Sequence, residues 1–449
     1  MTGKSLRPRL GADFARLWTA NAISNLGDGA AGVAAPLLVA SLTESPALVA
    51  GAVFVQQLPW LLFSLPAGAY VDRLERRRLL VGVNLARGAL LAGLGLMVWG
   101  GVATIPVLYL AFLLFGTAET LADSASVALL PSIVPSDGLA RANARLLGTY
   151  LVGNQLIAPP FGAWLFVVAP ALPFALDAAS FLAAALLVAP LLWRHAPAPA
   201  AARRRTLRAE IGEGLRWLWH HRTLRLLAVC VGVMNLAGAG SFAIWVLWAR
   251  ERLGLHGVGF GALVTAYTLG GLFGTLLASR LEARFGPATL LRAGLCIEAG
   301  SQLLLALTRT PWIAGATLLL FGAHATIWGV VSVSLRQRIV PDQLRGRVNS
   351  VYFLFDLGGA ALGTLLGGGL ASILGITAPF LLGSGAVALL TLAAWPQLVL
   401  RRADGWWDVV PGEHCSLGRR GSFSGSTTRR QSRGGRHAVP GNRLGRGPP

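Results

Sequence analysis

Apolar residues fill this chain in long runs, and the polar residues that interrupt them are bunched into short loops. Twelve such runs are visible, near residues 15–41, 46–71, 79–100, 104–128, 139–168, 171–193, 223–249, 257–280, 287–307, 311–334, 346–373 and 377–400. Each is close to or beyond the roughly 20 residues that cross a hydrocarbon core as an α-helix. The longer ones tilt or extend past the bilayer. The pattern predicts an all-α membrane protein with twelve transmembrane helices and a lipid bilayer as its principal solvent.

The interruptions are not random. Val134-Pro135, Leu139 and Asn143 follow the fourth run, and Val340-Pro341, Leu344 and Asn349 follow the tenth at nearly the same spacing. The same offset carries Gly68, after the second run, onto Gly274 within the eighth, where Ala278 stands in register with Asp72. Two loops matching in both halves imply two six-helix pseudo-repeats around a central cavity, an arrangement suited to rocking. The expected organisation is an N-terminal arm (1–14), a six-helix bundle (15–193), a central loop (194–222), a second bundle (223–400) and a tail (401–449). Within the central loop, Leu215, Leu218 and Trp219 recur near helical spacing beside Glu213 and Arg216. They predict an amphipathic helix that lies on the membrane surface or serves as a solvated linker. The tail is rich in Gly, Ser and Arg and lacks apolar periodicity, so disorder is expected there.

Composition agrees: 54% of residues are hydrophobic and only 13% charged, against about 25% charged in soluble domains. The net charge of +20 would suggest nucleic acid for a soluble chain, but its placement argues otherwise. Nearly all Lys and Arg fall in the two termini, the central loop and the loops after the even-numbered runs, whereas the other side carries Arg250, Arg252 and Arg309. This positive-inside pattern predicts cytoplasmic termini in a multi-pass protein of the cell membrane, with no nucleic-acid partner. The apolar run behind the basic N-terminus is too long for a signal-peptide core, so no cleaved leader is expected. Cys230, Cys296 and Cys415 have no metal spacing, and no metal or cofactor is expected.

After the second run the chain reads G-A-Y-V-D-R-L-E-R-R-R from Gly68 to Arg78. Together with the twelve helices, the repeat and the worn copy at Gly274, this string resembles the major facilitator superfamily over residues 12–400. The likeness is greatest to an exporter branch with enterobactin exporters and macrolide-efflux-type drug:proton antiporters. It rests on S-N-L-G-D-G (24–29), A-E-T-L-A-D (118–123), A-L-L-P-S-I-V-P (128–135), E-I-G-E-G-L-R-W-L-W (210–219) and R-G-R-V-N-S (345–350). The resemblance implies that Gly68, Asp72, Arg73, Arg76 and Arg77 form a gate motif on the cytoplasmic side, with Asp72 holding the bundles together in the outward-facing state. Glu75 replaces the usual second glycine of that motif. The antiporter pattern of the fifth helix survives only as Pro159, Pro160 and Gly162, and the arginine common in the fourth helix of such antiporters is absent.

Charges inside the predicted spans are the candidate chemistry, because a charge in hydrocarbon must be paired, neutralised or turned toward a cavity. Asp28 lies mid-span in the first helix, as a proton-binding acid or a structural one bonded to Asn25 or a neighbouring helix. Glu119 and Asp123 are four apart, hence on one helix face. They read as a proton relay, as a cation-binding pair, or as partners of Arg87 or Arg145. Arg87 either pairs with a helix-4 acid or snorkels to the surface. Asn154, Gln155, Asn235, Glu298, His324 and Asp356 are further cavity candidates, although a lone helical histidine is more often a packing residue. The chain has no Gly-Lys-Ser/Thr phosphate loop and no nucleophile constellation, so it does not read as an enzyme. The expectation is a monomeric secondary transporter exporting a hydrophobic or amphipathic small molecule against protons. Uptake symport and a non-transporting scaffold or receptor using the basic tail are the alternatives.

Overall fold

With no water in hydrocarbon, each backbone N–H and C=O must be satisfied inside its own segment, which makes helices the spanning element. In the computed structural model every described element is helical, and residues 10–71, 74–191, 207–341 and 344–398 are described. The N-terminal half contains α1 (Gly11–Leu42), α2 (Pro46–Val71), α3 (Arg76–Trp99), α4 (Ile105–Ile133), α5 (Leu139–Thr149), α6 (Ala158–Val168) and α7 (Leu172–Val188). A surface helix, α8 (Leu207–His220), precedes the second half. That half contains α9 (Arg222–Phe242), α10 (Trp245–Leu253), α11 (Gly257–Phe285), α12 (Pro287–Leu307), α13 (Pro311–Ile339), α14 (Arg345–Leu374) and α15 (Ala378–Ala394). Ten segments are long and apolar enough to span a membrane, and α7 and α15 are shorter apolar helices. Together they account for the twelve expected crossings. Their outer faces are lipid-like: Leu186 is 75% and Leu392 73% exposed, apolar exposure that water would not tolerate over such an area.

Three expectations need correction. The fifth crossing is not one continuous α-helix: a π-helical stretch, Tyr150–Ile157, joins α5 to α6. Pro159 and Pro160 supply no N–H, so the carbonyls of Gln155 and Leu156 lose their usual partners and the ladder shifts. The seventh crossing breaks at Ala243–Ile244 into α9 and α10. The loop expected after the eighth run is a one-residue turn. Helix α11 continues to Phe285, Gly286 takes φ +77°, and Pro287 starts α12. Only glycine adopts that backbone freely, and proline is preorganised for a first helical turn.

The packing follows the repeat. Helix α1 packs on α7, α2 on α4 and α3 on α7, and in the second half α9 packs on α15, α11 on α13 and α12 on α15. Between halves, α2 meets α14 and α6 meets α11, which are the same pairing under a two-fold exchange. The buried core divides into three clusters. One, with Val33, Leu37, Ala50, Trp245, Trp248 and Phe260, draws on both halves near the charge-poor face. The other two lie toward the basic face, one wholly in each half. The halves are thus fused at one end, with separate cores at the other.

Small residues make the close contacts possible. A Cβ on Gly322 would collide with the Tyr267 carbonyl, and one on Gly270 with the Leu319 carbonyl, so α11 and α13 touch backbone to backbone. We predict that Gly322→Leu lowers the thermal midpoint of the detergent-solubilised protein, because overpacking costs on the order of 1–3 kcal/mol. Gly300→Leu, at a glycine with nothing within 4 Å of its would-be Cβ, leaves the midpoint near wild type. Equal effects at the two sites would refute the backbone-contact argument.

Candidate functional site

The N-terminal half encloses a cavity of about 1210 Å³ lined by Asp28, Asn84, Arg87, Glu119, Asp123, Tyr150 and Asn154. Four elements bring these side chains together: α1, α3, α4 and the π-helical stretch. The close approach of α1 to its neighbours depends on glycine. A Cβ on Gly29 would strike the Asn154 carbonyl, and one on Gly162 would strike the Ala30 backbone. Of the predicted fifth-helix motif, Gly162 therefore builds the α1 seam. Pro159 and Pro160 lie against Gly261 of α11, at the junction of the halves.

Arg87 is the centre of the site. Its side chain is 6% exposed, so it does not snorkel. Its Nη2 donates to Asp28 Oδ1 at 3.1 Å and lies 3.8 Å from Glu119 Oε1. The guanidinium stacks over Phe181 at 4.0 Å and Phe115 at 4.6 Å from the ring centroids, contacts that hold a planar cation in a dry setting. Asp28 is thus bonded to Arg87, and Asn25 is not its partner. Asp123 opens on the same cavity one turn beyond Glu119. Gln155 donates to the Tyr150 hydroxyl at 2.9 Å and to Asn154 Oδ1 at 2.8 Å, which aligns the polar edge of the π-helical stretch.

The second half holds a smaller cavity, about 660 Å³, with mainly aromatic walls: Phe242, Trp245, Tyr267, Phe321, Trp328 and Tyr352. Asn235, Glu298, Arg336 and Asp356 supply its polar groups. Asn235 donates to Asp356 Oδ1 at 2.8 Å, tying α9 to α14. His324 is not a lone packing residue. Its Nε2 lies 2.9 Å from Glu298 Oε2, and both side chains are under 5% exposed. Gln302 and Ser241 extend this pair into a buried polar chain, with Ser241 Oγ 2.8 Å from Gln302 Oε1.

Of the gate motif, Asp72 and Arg73 lie outside the described residues. Gly68 is helical, near the end of α2. Arg76 opens α3. Arg77 pairs with Glu75 at 3.2 Å and donates to the Ala189 and Leu191 carbonyls at 3.2 and 3.4 Å, a cation at the C-terminal end of α7. Arg78 also pairs with Glu75, at 2.5 Å. The residue that replaces the usual glycine therefore serves as the anchor of two arginines.

Two groups escaped the sequence reading. Asp177 of α7 is wholly buried. The signal was available, since it is the one acid in the apolar run 171–193. Arg250 read only as a rare charge on the sparse side. It donates to the Ala40 carbonyl at 3.1 Å and so bonds α10 to the end of α1 across the two halves. Ser372 of α14 likewise accepts from the Ala47 N–H of α2 at 3.1 Å.

Comparison with known proteins agrees with this architecture. The transmembrane secretion effector family matches residues 4–415. An uncharacterized MFS-type transporter of Mycobacterium tuberculosis is 30% identical over 362 residues, 76% of this chain and 80% of the relative. The enterobactin exporter EntS of Shigella boydii is 27% identical over 371 residues, 80% of this chain and 86% of that protein. A bacterial homologue of the iron transporter ferroportin, crystallised in an inward-facing state, superposes with a TM-score of 0.69 at 17% identity, over 88% of this chain and all of that one. These relatives are transporters, not enzymes. Twelve crossings in two related halves, a polar cavity inside the bundle and a family match over most of its length make this chain a member of the transmembrane secretion effector family, within the major facilitator superfamily of membrane transporters.

Proposed function

We propose that this transporter exports a hydrophobic or amphipathic small molecule in exchange for protons by alternating access. The observation that carries the reading is the Arg87–Asp28–Glu119 cluster on the wall of the N-terminal cavity. One guanidinium faces several carboxyls in a medium that tolerates little net charge, so proton occupancy there is tied to which acid the cation holds. The aromatic cavity of the other half suits an apolar or ring-bearing ligand. The positive-inside pattern supports cytoplasmic termini. On that orientation the fused end is extracellular, and the end with separate cores opens to the cytoplasm, where an export substrate is loaded. Relatives named as enterobactin exporters support the outward direction. In this reading Asp72, Arg73, Arg76 and Arg77 latch the cytoplasmic mouth shut in the opposite state, and Arg250 belongs to the extracellular closure. The protein works as a monomer, with the pathway inside one chain.

Everted membrane vesicles with an acid interior test the proposal, using a panel of macrolides, catecholate siderophores and lipophilic cations. Wild-type vesicles accumulate at least one of these inside, and collapsing the pH gradient abolishes the accumulation. Asp28→Asn abolishes gradient-driven accumulation while expression and detergent monodispersity stay normal. Accumulation at the wild-type level in that variant removes Asp28 from the coupling mechanism.

A second expectation concerns the ion pair. Removing one partner of a buried pair strands the other and costs roughly 3–5 kcal/mol. Arg87→Ala is therefore markedly less stable than wild type in detergent thermal unfolding. Adding Asp28→Asn to it recovers part of the loss, because one stranded charge is gone. A double variant no more stable than Arg87→Ala alone would show that the two residues are not energetically coupled.

A further inference from the structure

The wall behind the N-terminal cavity contains an acid that the transport reading leaves unused. Asp177 is 0% exposed. Its Oδ1 accepts from Ser180 Oγ at 3.0 Å, but the same hydroxyl also lies 2.8 Å from the Asp177 carbonyl, so its single proton is shared. Its Oδ2 is buried without a hydrogen-bond partner, and so is Nε of Arg87. A buried acceptor on one side chain and a buried donor on its neighbour, both unused, are each costly to leave so.

The two residues are close by construction. Asp177 and Phe181 are four apart on α7, hence on one face, and the Arg87 guanidinium sits 4.0 Å over the Phe181 ring. A Cβ on Gly27 would strike Asp177 Oδ1, so Asp177 lies against the α1 backbone one residue from Asp28. The charged groups that act on it are Asp28 on α1, Arg87 on α3 and Glu119 on α4. Asp28, Glu119 and Asp123 open on the cavity, whereas Asp177 does not line it.

We infer that Asp177 is a further carboxyl partner of Arg87, beyond Asp28 and Glu119, and holds the cluster's internal proton while Arg87 is engaged by Asp28. In the exchange, the O–H bond at Asp177 breaks and one forms at Asp28. Arg87 leaves the newly neutral Asp28 for the newly ionised Asp177. The number of protons and the charge of the cluster are unchanged, but the exchangeable proton has moved from a sealed site to one that faces the cavity. With Glu119 beside it in both states, a cation that exchanges Asp28 for Asp177 avoids a stranded charge at either acid. Gly27 is required between them, because a side chain there would occupy the space of the Asp177 carboxyl.

This inference rests on the reading that the N-terminal acids carry protons, and its test needs neither substrate nor gradient. Infrared spectra of the full chain in lipid vesicles report a protonated buried carboxyl by its C=O stretch, and the band is assigned by its loss in Asp177→Asn. The expected result is a wild-type band that exchanges slowly in deuterated buffer and is absent in both Asp177→Asn and Asp177→Ser. It is lost in Asp28→Asn as well, where Arg87 turns to Asp177 and ionises it. It returns in the double variant Asp28→Asn/Arg87→Ala, where no cation is left to ionise Asp177. A purely structural Asp177 would not respond to residues 28 and 87 in opposite directions. A band that persists in Asp177→Asn, persists in Asp28→Asn, or fails to return in the double variant overturns the inference. If the bands behave as expected while vesicles accumulate no probe, the exchange stands and the exporter reading falls.

Discussion

A single guanidinium in a dry bundle constrains the whole N-terminal half. A buried guanidinium is costly without a counter-charge, so Arg87 needs an anionic partner near it. The structure meets that need with Asp28 at 3.1 Å and Glu119 at 3.8 Å. Phe115 and Phe181 fix the cation in place. Three helices, α1, α3 and α4, are thereby tied through one side chain. Under the proposed proton exchange, coupling to helix positions would run through this contact.

The mechanics lie elsewhere, at the seams between halves. These seams are made of backbone and small side chains: Gly368 against Ala50, and Gly261 against Ala163 and Pro160. The polar links across the halves are few and short, with Arg250 on the Ala40 carbonyl and Ser372 beneath the Ala47 N–H. Beside these close contacts the halves share one apolar core, with Val33 and Leu37 of the first half and Trp245, Trp248 and Phe260 of the second. Arg77 offers a matching anchor at the basic end, where it caps the carbonyls that close α7. The start of α3 is in this way connected to the helix that carries Asp177.

Much of this was legible in the sequence, and the part that was not has a common cause. The twelve crossings, the pairing of the halves and the surface helix α8 follow from run length, spacing and periodicity. The intramembrane charges announced themselves by their cost in hydrocarbon. What could not be read was orientation. A spanning helix is apolar all round, so its hydropathy marks no inward face. Whether Arg87 would meet Asp28, Glu119 or Asp123 depended on helix rotation that no periodicity records. The same blindness hid the His324–Glu298 pair, whose members lie on different helices, and the role of Arg250. The π-helical stretch is implied by Pro159-Pro160, but averaging over a long apolar run conceals a local shift of the hydrogen-bond ladder. Asp177 stood in plain view as a lone acid.

The two halves share a scaffold and diverge in chemistry, and that divergence is itself informative. The repeat relates α1 to α9 and α4 to α13, yet the N-terminal cavity is lined by carboxyls around one arginine and its counterpart by aromatic rings around Asn235, Glu298 and Asp356. A symmetric pair of sites would let a proton and a ligand compete for the same groups. In the proposed exchange, separate chemistries in the two halves would let each ligand bias a shared equilibrium without touching the other's contacts. The buried His324–Glu298 pair adds a polar link at the aromatic wall, hydrogen-bonded through Gln302 to Ser241 of α9. The half with aromatic walls therefore has its own polar chain joining α9, α12 and α13. Through the contact of Gly322 with the Tyr267 backbone, that chain adjoins α11, which forms one of the seams.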